Sequence, residues 1–537
     1  NMNSKYLTFF SIIFLLGCST SESPVDSGLK NQIFHFGNGA EIQGLDPHIV
    51  TGVPEHNVLI SLCEGLTISS PKDGGRLPGA AASWEISDDG KTYTFFLHKN
   101  GKWSNGDPVT ANDFVWSWKR ILTPSLGSQY TDMLYYVENA EDYFNSAGDM
   151  SFDEVGIKAV DDFTLEVTLK NPTPFFLGLL SHYSTWPVHK DTVLKYGDID
   201  DRNGEWTRPG NFVCNGPFQL KTWELNKKII VERNPYYWDK DQVQLNEIHF
   251  YPIQVAMTED RMFRTGQLHV TATVPVQKCP VYLEENNPNL RIDPYMGTYF
   301  YRFNTNLPSL SDKRVRKALA FSLDRELISD KVAQCGQIPA YSFTPPGSAG
   351  YEPDTQIPYD PILAKQLLSE AGYSDPSSFP KLEILFNTSE GHRKIALAVQ
   401  QMWQENLGIE VELVNQDWKV YLNREMIGDF QVSRAGWIGD YEDPNTFLDL
   451  MRPNRGNNKT GWENMEFDRL VQKANTLSDK EERHNLFNTA ENILIDEMPV
   501  APIYTYVRAY QLSQDVKGYF PNYLDNHHPK FIYLSRD

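Results

Sequence analysis

The sequence predicts an α/β protein with more than one domain, and two observations carry that prediction. The chain has 537 residues, more than one hydrophobic core usually organises, so two or three domains are expected. Beyond about residue 30, strand-like alternation and helix-like spacing of apolar residues follow one another, as they do in layered α/β folds.

Several short segments carry the period of two that half-buried strands show. Their sequences alternate apolar and polar residues and contain many aromatic or β-branched side chains. The segments are 31–36, 92–97, 164–169, 409–414 and the strand-like run 429–433.

Two segments have the spacing of amphipathic helices. Residues 111–120 place Phe114, Val115 and Trp118 on one side, and residues 394–406 end before Gly408. Clusters of Pro and Gly indicate domain boundaries at other places, near 68–78, 186–210 and 340–362.

The charge balance limits the partners of this chain. It contains 70 acidic and 49 basic residues, a formal net charge of −21. Nucleic acid is not expected as a partner, because phosphate binding needs clustered Lys and Arg. The excess of acid favours solubility and does not specify a fold.

The N-terminus has the pattern of an export signal. Lys5 precedes the apolar run 6–16, which is too short to span a bilayer, and Cys18 follows Leu-Leu-Gly. This resembles a lipoprotein signal over residues 1–17, with Cys18 lipidated and residues 18–30 acting as a polar tether. The alternative is an ordinary secretory signal with a chance cysteine.

The remaining cysteines do not indicate a metal site. Cys63, Cys214, Cys279 and Cys335 lie far apart, without a CxxC pair or histidines at metal spacing. One or two disulfides are possible after export, and the sequence leaves their pairing open. No cofactor is expected.

The segment 434–444, RAGWIGDYEDP, is the most informative part of the chain. Asp440 lies between aromatic residues, an arrangement that suits a small cation such as an α-ammonium group. Arg434 suits an anion, because its planar guanidinium matches a carboxylate. The alternative for Asp440 is a turn cap, since the segment is rich in turn residues.

Seven separated motifs resemble the family 5 periplasmic solute-binding proteins, specifically the oligopeptide-binding members that serve ABC importers. The motifs run in the same order and with similar spacing across residues 32–537. They are 41–48 (EIQGLDPH), 64–66 (EGL), 77–84 (LPGAAASW), 102–114 (KWSNGDPVTANDF), 233–238 (RNPYYW), 315–319 (VRKAL) and 434–444.

The resemblance implies a bilobal periplasmic-binding-protein fold, in which two hinged α/β lobes close over a ligand and the first lobe carries an extra α/β domain. Matching motifs assign the extra domain to 68–191 and lobe II to 292–507. Lobe I would be built from three stretches, 31–67, 192–291 and 508–537.

The resemblance also implies ligand contacts. Asp440 matches the aspartate that receives the peptide's α-ammonium group, and Arg434 and His392 match positions near its carboxylate end. The structural alternatives are an ion pair for Arg434 and a surface histidine for His392. Further matches to pocket or cleft residues are Trp418, Trp437, Tyr130, Tyr295, Tyr506 and Glu55. The aromatics could instead be core residues, and Glu55 a solvated surface charge.

This sequence departs from the family pattern in two places. Ala333 and Glu425 stand where enteric relatives have a second basic pair, and Arg424 is expected to point elsewhere on a strand. Gly297 and Ile438 stand where those relatives pair cysteines at the cleft rim. We hypothesise that this protein binds shorter peptides less well than its relatives.

The resulting expectation is a monomeric binding protein, not an enzyme, whose partners are oligopeptides, ABC permease subunits and a membrane reached through the lipid anchor. The sequence has no GxSxG, SxxK or HExxH, which argues against a hydrolase. Murein peptide, nickel chelate, haem and sugar are alternative ligands on this fold, and the Asp440 motif argues against nickel and sugar.

Overall fold

The computed structural model describes residues 22–536. The predicted signal peptide and Cys18 lie outside the described residues.

Eighteen strands are defined along the described chain. They are β1 Ile33–Gly37, β2 Thr67–Ser69, β3 Arg76–Pro78, β4 Ala81–Ile86, β5 Thr92–Leu97, β6 Ile157–Asp161, β7 Thr164–Thr168, β8 Phe218–Glu224, β9 Lys228–Arg233, β10 Glu247–Tyr251, β11 Leu290–Phe303, β12 Ile338–Pro339, β13 Leu382–Asn387, β14 Val411–Gln416, β15 Val432–Ile438, β16 Val500–Gln511, β17 Val516–Lys517 and β18 Tyr533–Leu534.

Helix α1 precedes the first strand, and the other α-helices lie between strands. They are α1 Pro24–Asn31, α2 Val53–Leu62, α3 Ala111–Ile121, α4 Ala140–Asn145, α5 Phe176–Leu179, α6 Lys190–Tyr196, α7 Ala256–Arg264, α8 Cys279–Glu284, α9 Pro308–Ser311, α10 Lys313–Phe321, α11 Arg325–Leu327, α12 Pro361–Glu370, α13 Glu390–Leu407, α14 Trp418–Met426, α15 Asn445–Leu448, α16 Met465–Ala474 and α17 Lys480–Glu497. A π-helical segment, Ile328–Ala333, follows α11.

A four-stranded sheet of order β1-β10-β9-β8 forms the first lobe. The predicted strand at 31–36 is present as β1, which pairs in parallel with β10. The prediction of a polar tether is wrong for residues 24–30, because they belong to α1. Ser23 caps this helix, Pro24 opens it, and Val25 is buried with its main-chain N–H donating to Gly266.

A second four-stranded sheet, β4-β5-β7-β6, contains the strands predicted at 92–97 and 164–169. The predicted helix at 111–120 is α3, which begins with a capping box between Thr110 and Asp113. Phe114 and Trp118 are fully buried, as their helical spacing predicts, and Val115 packs at the edge of the same core.

A six-stranded sheet of order β12-β16-β11-β15-β13-β14 forms the second lobe. Helix α13 begins at Glu390, four residues before the predicted start, because Ser389 caps it by accepting from the N–H of His392. The helix ends where Gly408 adopts the left-handed conformation, with φ of +73°. The predicted strand that follows is β14.

The long strands β11 and β16 run side by side from one lobe to the other. Their antiparallel pairing extends from Leu290 and Gln511 at one end to Arg302 and Val500 at the other, with a register shift between Pro294 and Thr298. The lobe boundaries predicted near 291 and 507 therefore fall inside two continuous strands. Interrupted pairing of this kind lets two strands bend with little loss of ladder hydrogen bonds.

Two disulfides pair the four cysteines of the described chain. Cys63 is bonded to Cys214 within the first lobe, and Cys279 on α8 is bonded to Cys335, which follows the π-helical segment. The second bond therefore connects the two sides of the β11–β16 crossing, next to Leu290, Ile292 and Ala509 of those strands.

The described residues carry neither a metal cluster nor a membrane span. In residues 22–536, no group of three or more His, Cys, Asp or Glu side chains is placed to hold a metal ion. No helix in the same range has both the length and the apolar character that crossing a bilayer requires.

Candidate functional site

Strand β15 positions the two charged residues that the sequence singled out. It pairs with β11 along its whole length, from Val432 to Ile438, but with β13 only at Val432 and Ser433. From Arg434 onward its second edge has no strand partner in the described chain. The carbonyl of Arg434 points to that edge, where it accepts the hydroxyl of Tyr421 at 2.5 Å.

The alternation of an antiparallel strand places the main-chain groups of Gly436 on the same open edge as those of Arg434. A Cβ at Gly436 would lie 2.6 Å from the hydroxyl oxygen of Tyr506. Only glycine fits there without displacing that tyrosine. An open strand edge beside a residue without a side chain is suited to receiving another extended chain.

Asp440 lies one residue beyond Gly439, just after the end of β15, and is partly buried. Its Oδ1 is 3.2 Å from Nε2 of His182, a buried residue from the other side of the cleft. Burial, and then the charge on Asp440, raise the pKa of Tyr130 and of Tyr183 well above the usual value. The carboxylate of Asp440 is therefore surrounded by neutral aromatic side chains and one imidazole.

The turn-capping role proposed as an alternative for Asp440 belongs to Asp443. The carboxylate of Asp443 accepts from the N–H of Asn445 at 3.0 Å and forms a buried ion pair with Arg483 at 2.9 Å. Asp440 contributes only its main-chain N–H to the turn, donating to Thr446. Its side chain remains directed into the cleft.

Arg434 is buried without a carboxylate partner in the described chain. Its guanidinium donates to the Asn387 side chain at 3.2 Å and to the Tyr506 hydroxyl at 2.6 Å, and it lies over the ring of Tyr299. Its Nε has no hydrogen-bond partner. The ion pair considered as an alternative is absent, so the guanidinium retains its capacity for an anion.

His392 is partly buried beside Arg434 and is not the surface histidine considered as an alternative. Its Nδ1 lies 3.3 Å from the hydroxyl of Tyr299. Burial, and then the positive charge of Arg434, hold the pKa of His392 well below its usual value. The imidazole is therefore neutral at pH 7, and the guanidinium alone supplies the charge at this end.

Tyr295 and Tyr506 lie at the interrupted pairing of β11 and β16, where the chain crosses between the lobes. Their ring centroids are 6.0 Å apart. Tyr506 reaches Arg434, whereas Tyr295 packs behind it, where burial and then the charge of Asp525 raise its pKa. Of these two tyrosines, only Tyr506 contacts Arg434, a charged residue that the sequence predicts to bind the ligand.

Trp418 and Glu55 face each other across the cleft. The indole N–H of Trp418 donates to Oε1 of Glu55 at 3.3 Å. The solvated surface charge considered as an alternative for Glu55 is wrong, because the side chain is fully buried; burial raises its pKa, and the N–H of Gln43 partly opposes that rise. Its second carboxylate oxygen has no hydrogen-bond partner.

Trp437 and Tyr130 form an aromatic wall next to Asp440. Their ring centroids are 6.3 Å apart, and the indole N–H of Trp437 donates to the carbonyl of Thr446 at 2.9 Å. These two residues come from opposite sides of the cleft, so the wall exists only when the two sides meet.

The departures from the family pattern have structural explanations. Glu425 is buried and accepts from Arg302 and from Ser433, each at 2.7 Å. The prediction that residues 424–425 lie on a strand is wrong, because Asp417 caps helix α14 and the helix continues to Met426. Arg424 does point away from the cleft, towards Glu383 and Asp429.

Gly297 and Ile438 are directly paired between β11 and β15. A Cβ at Gly297 would lie 2.4 Å from the Ile438 side chain, so the isoleucine fills the space beside the glycine.

Sequence reasoning missed three residues of the site: His182, Tyr183 and Tyr299. His182 and Tyr183 lie in a turn that packs against α2, and Tyr299 is an internal residue of β11. Their local sequences carry no motif for ligand binding. The adjacent aromatics of the segment 182–186 are a signal of clustering, but not of proximity to Asp440.

Comparison with known proteins identifies the class to which this fold and cleft belong. Residues 77–459 match the bacterial extracellular solute-binding proteins, family 5 Middle. The chain therefore belongs to the family 5 solute-binding proteins. It is 40% identical to the periplasmic oligopeptide-binding protein OppA of Salmonella typhimurium, over 100% of this chain and 99% of that protein.

Two solved structures define the arrangement of the lobes. The complex of Haemophilus influenzae OppA with the peptide RPPGFSPFR has a TM-score of 0.89 and 37% identity, covering 94% of this chain and 99% of that one. The unliganded open form of the murein tripeptide-binding protein MppA has a TM-score of 0.62 and 35% identity, covering 94% and 98%. The lobes here are therefore arranged as in the peptide complex.

Proposed function

We propose that this protein is the lipid-anchored substrate-binding component of an oligopeptide ABC importer. It encloses a peptide between its lobes, holds the peptide main chain and α-ammonium group, and delivers the peptide to permease subunits in the inner membrane. Cys18 carries the lipid and residues after it hold the monomeric body near the membrane. It performs no chemistry on the peptide.

The observation that carries the proposal is the pair of charges at the two ends of one open strand edge. Asp440 and Arg434 are six residues apart, so the chain between them spans at most about 22 Å. An extended tetrapeptide or pentapeptide spans roughly 13–18 Å. Its ammonium and carboxylate groups would thus approach the two charges while its main chain pairs with the edge.

This arrangement explains how one cleft would accept many sequences. The main chain and the termini are common to all peptides, so edge hydrogen bonds and terminal charges bind them without selecting side chains. The aromatic walls give side chains apolar area, and water adapts to each shape. Closure then follows from the higher affinity of the closed form for the peptide, and the permease distinguishes closed from open.

The alternative cargo is a murein peptide, which also presents a free amine to Asp440. Such a peptide would use the ammonium end of the cleft in the same way, so loss of binding on acetylation does not separate it from an ordinary peptide. Direct titration with a murein tripeptide and with mixed-sequence tetrapeptides distinguishes the two cargoes by their relative affinities.

The test is calorimetric titration of ligand-stripped protein with a mixed-sequence tetrapeptide, free and N-acetylated. We expect tight binding of the free peptide only, and a loss of about 2–5 kcal/mol for Asp440→Asn, because a desolvated charge pair is broken. Glu442→Gln is the matched control, since that acid is exposed in the same segment. Binding that is indifferent to acetylation and to Asp440→Asn would reject the proposal.

A further inference from the structure

The closest basic group to Asp440 in the described chain is an imidazole of the protein itself. Nε2 of His182 lies 3.2 Å from Oδ1 of Asp440, and the two residues reach this contact from opposite sides of the cleft. This is the position that a cation from the ligand would need. The His182 contact is therefore relevant to how the ammonium site is occupied.

Ser184 determines which nitrogen of His182 carries the proton. The main-chain N–H of Ser184 points at Nδ1 from 3.3 Å, so Nδ1 acts as the acceptor in the neutral ring and the proton lies on Nε2. The Ser184 hydroxyl oxygen is 2.8 Å from the same Nδ1 and can accept a hydrogen bond from it when Nδ1 is protonated. Both the neutral and the charged imidazole thus have a partner on the side away from Asp440.

The other groups that face His182 are mostly neutral. Its ring packs on Tyr183 and Tyr130, with centroid distances of 4.1 and 4.6 Å. His56 is close enough for the two imidazoles to repel each other when charged. Two acids lie one layer further away: Glu55 beyond Tyr183, and Asp132 beyond Tyr130. Asp440 is thus the one acid in direct contact with His182.

We propose that His182 competes with the ammonium group of a peptide for Asp440. When its imidazole is charged, His182 pairs with Asp440, holds the peptide-free cleft closed and excludes that ammonium group. This inference rests on the proposed function, because it assigns the ammonium group to Asp440. A neutral His182 leaves the charge of Asp440 to the peptide. A charged one neutralises that acid and repels a second cation at the same site.

The direction of the pH effect follows from this competition. A charged His182 has to give up its contact with Asp440 before the ammonium group of a peptide can take that place, and histidine is the side chain whose charge most readily changes between about pH 8 and pH 5. Affinity therefore falls as pH falls. Competition between the charged imidazole and the ammonium group of the peptide for this one carboxylate is expected to reduce affinity about tenfold.

The experiment compares wild-type protein with His182→Gln by titration with one tetrapeptide at pH 8.0, 6.5 and 5.0. We expect about a tenfold loss of affinity in the wild type and a loss of less than about threefold in the variant. His189→Gln is the matched control, because His189 is also a helix-capping imidazole whose Nε2 contacts a carboxylate, that of Asp107 at 3.0 Å. It lies away from Asp440 and should behave as wild type.

A measurement without peptide separates this inference from the proposed function. Small-angle scattering of ligand-stripped protein should show a more closed form at pH 5.0 than at pH 8.0, and His182→Gln should abolish that difference. The role of His182 would be overturned if affinity changed with pH in His182→Gln as it does in the wild type. It would also be overturned if the pH dependence of affinity disappeared in Asp132→Asn and not in His182→Gln. Absence of peptide binding at every pH would contradict the proposed function, and the scattering comparison would still decide the role of His182.

Discussion

The indole N–H of Trp418 donates to the buried carboxylate of Glu55 at 3.3 Å, and this hydrogen bond joins the two sides of the cleft. Trp418 opens helix α14 in the second lobe, whereas Glu55 lies in the first turn of α2 in the first lobe. The contact exists only in the closed arrangement. It therefore contributes to closure rather than to the stability of either lobe.

Trp418→Phe is expected to weaken peptide affinity about tenfold, because one hydrogen bond to a desolvated carboxylate is lost on closure, about 1.4 kcal/mol. The matched control is Trp223→Phe, since Trp223 donates to Glu41 at 2.9 Å wholly within the first lobe. Calorimetry should show a changed affinity for the first variant only. Equal losses in both would mean that the Trp418 contact has no specific role in closure.

Removal of the guanidinium should make peptide binding insensitive to the peptide's carboxylate. Arg434→Gln is expected to reduce the affinity for a pentapeptide by about 2–5 kcal/mol, as expected when one partner of a buried charge pair is removed. Amidating the peptide should cost the wild type a similar amount and cost the variant little. The exposed Arg314, changed to Gln, serves as the control; a variant that still distinguishes acid from amide would contradict this assignment.

The partly buried imidazole of His392 should make the protein less stable in acid. Its folded-state pKa lies well below the usual value, so below about pH 6.5 the unfolded chain takes up the proton first and stability falls as pH falls. The loss approaches about 1.4 kcal/mol per pH unit. Thermal unfolding at pH 7.5 and 5.5 should therefore show a smaller decrease of Tm for His392→Gln than for wild type; identical decreases would mean that His392 is already charged in the folded protein.

The two disulfides should have different roles. Cys279–Cys335 connects the lobes beside the crossing strands, whereas Cys63–Cys214 lies within the first lobe. Replacing either pair by serine should lower Tm, because each cross-link restricts the unfolded chain. Only the double variant Cys279→Ser, Cys335→Ser should also have lobes that are further apart in the peptide-free protein, as measured by small-angle scattering. Equal opening in both double variants would show that the interlobe bond does not limit the hinge.

Peptide length is the remaining test of the cleft. Glu425 forms an ion pair with Arg302 and Ala333 carries no charge, so neither of these two positions offers a cation to a short peptide. We expect a tripeptide to bind at least about tenfold more weakly than a pentapeptide of related sequence, which corresponds to about 1.4 kcal/mol. Equal or tighter binding of the tripeptide would reject the length hypothesis.

Local sequence patterns predict the helices and strands in which buried and exposed side chains alternate with the period of the helix or the strand. Each of these signals lies within one short segment of the sequence. Examples are the capping box and apolar side of α3, the alternation of β5 and the glycine that ends α13. The segment 434–444 was identified in the same way, because an acid among aromatics next to a strand is a local feature. Helix α14 was mistaken for a strand because its cap, Asp417, has no strong apolar period behind it.

The residues alone predict the α/β class and the family resemblance, and they indicate Asp440 and Arg434 as ligand-binding residues. The pairing of Cys279 with Cys335, the burial of Glu55 against Trp418 and the contact of His182 with Asp440 are seen only in the folded structure. Each of these contacts joins segments far apart in the chain. Such contacts depend on how whole lobes pack and close, and no local propensity or spacing records that arrangement.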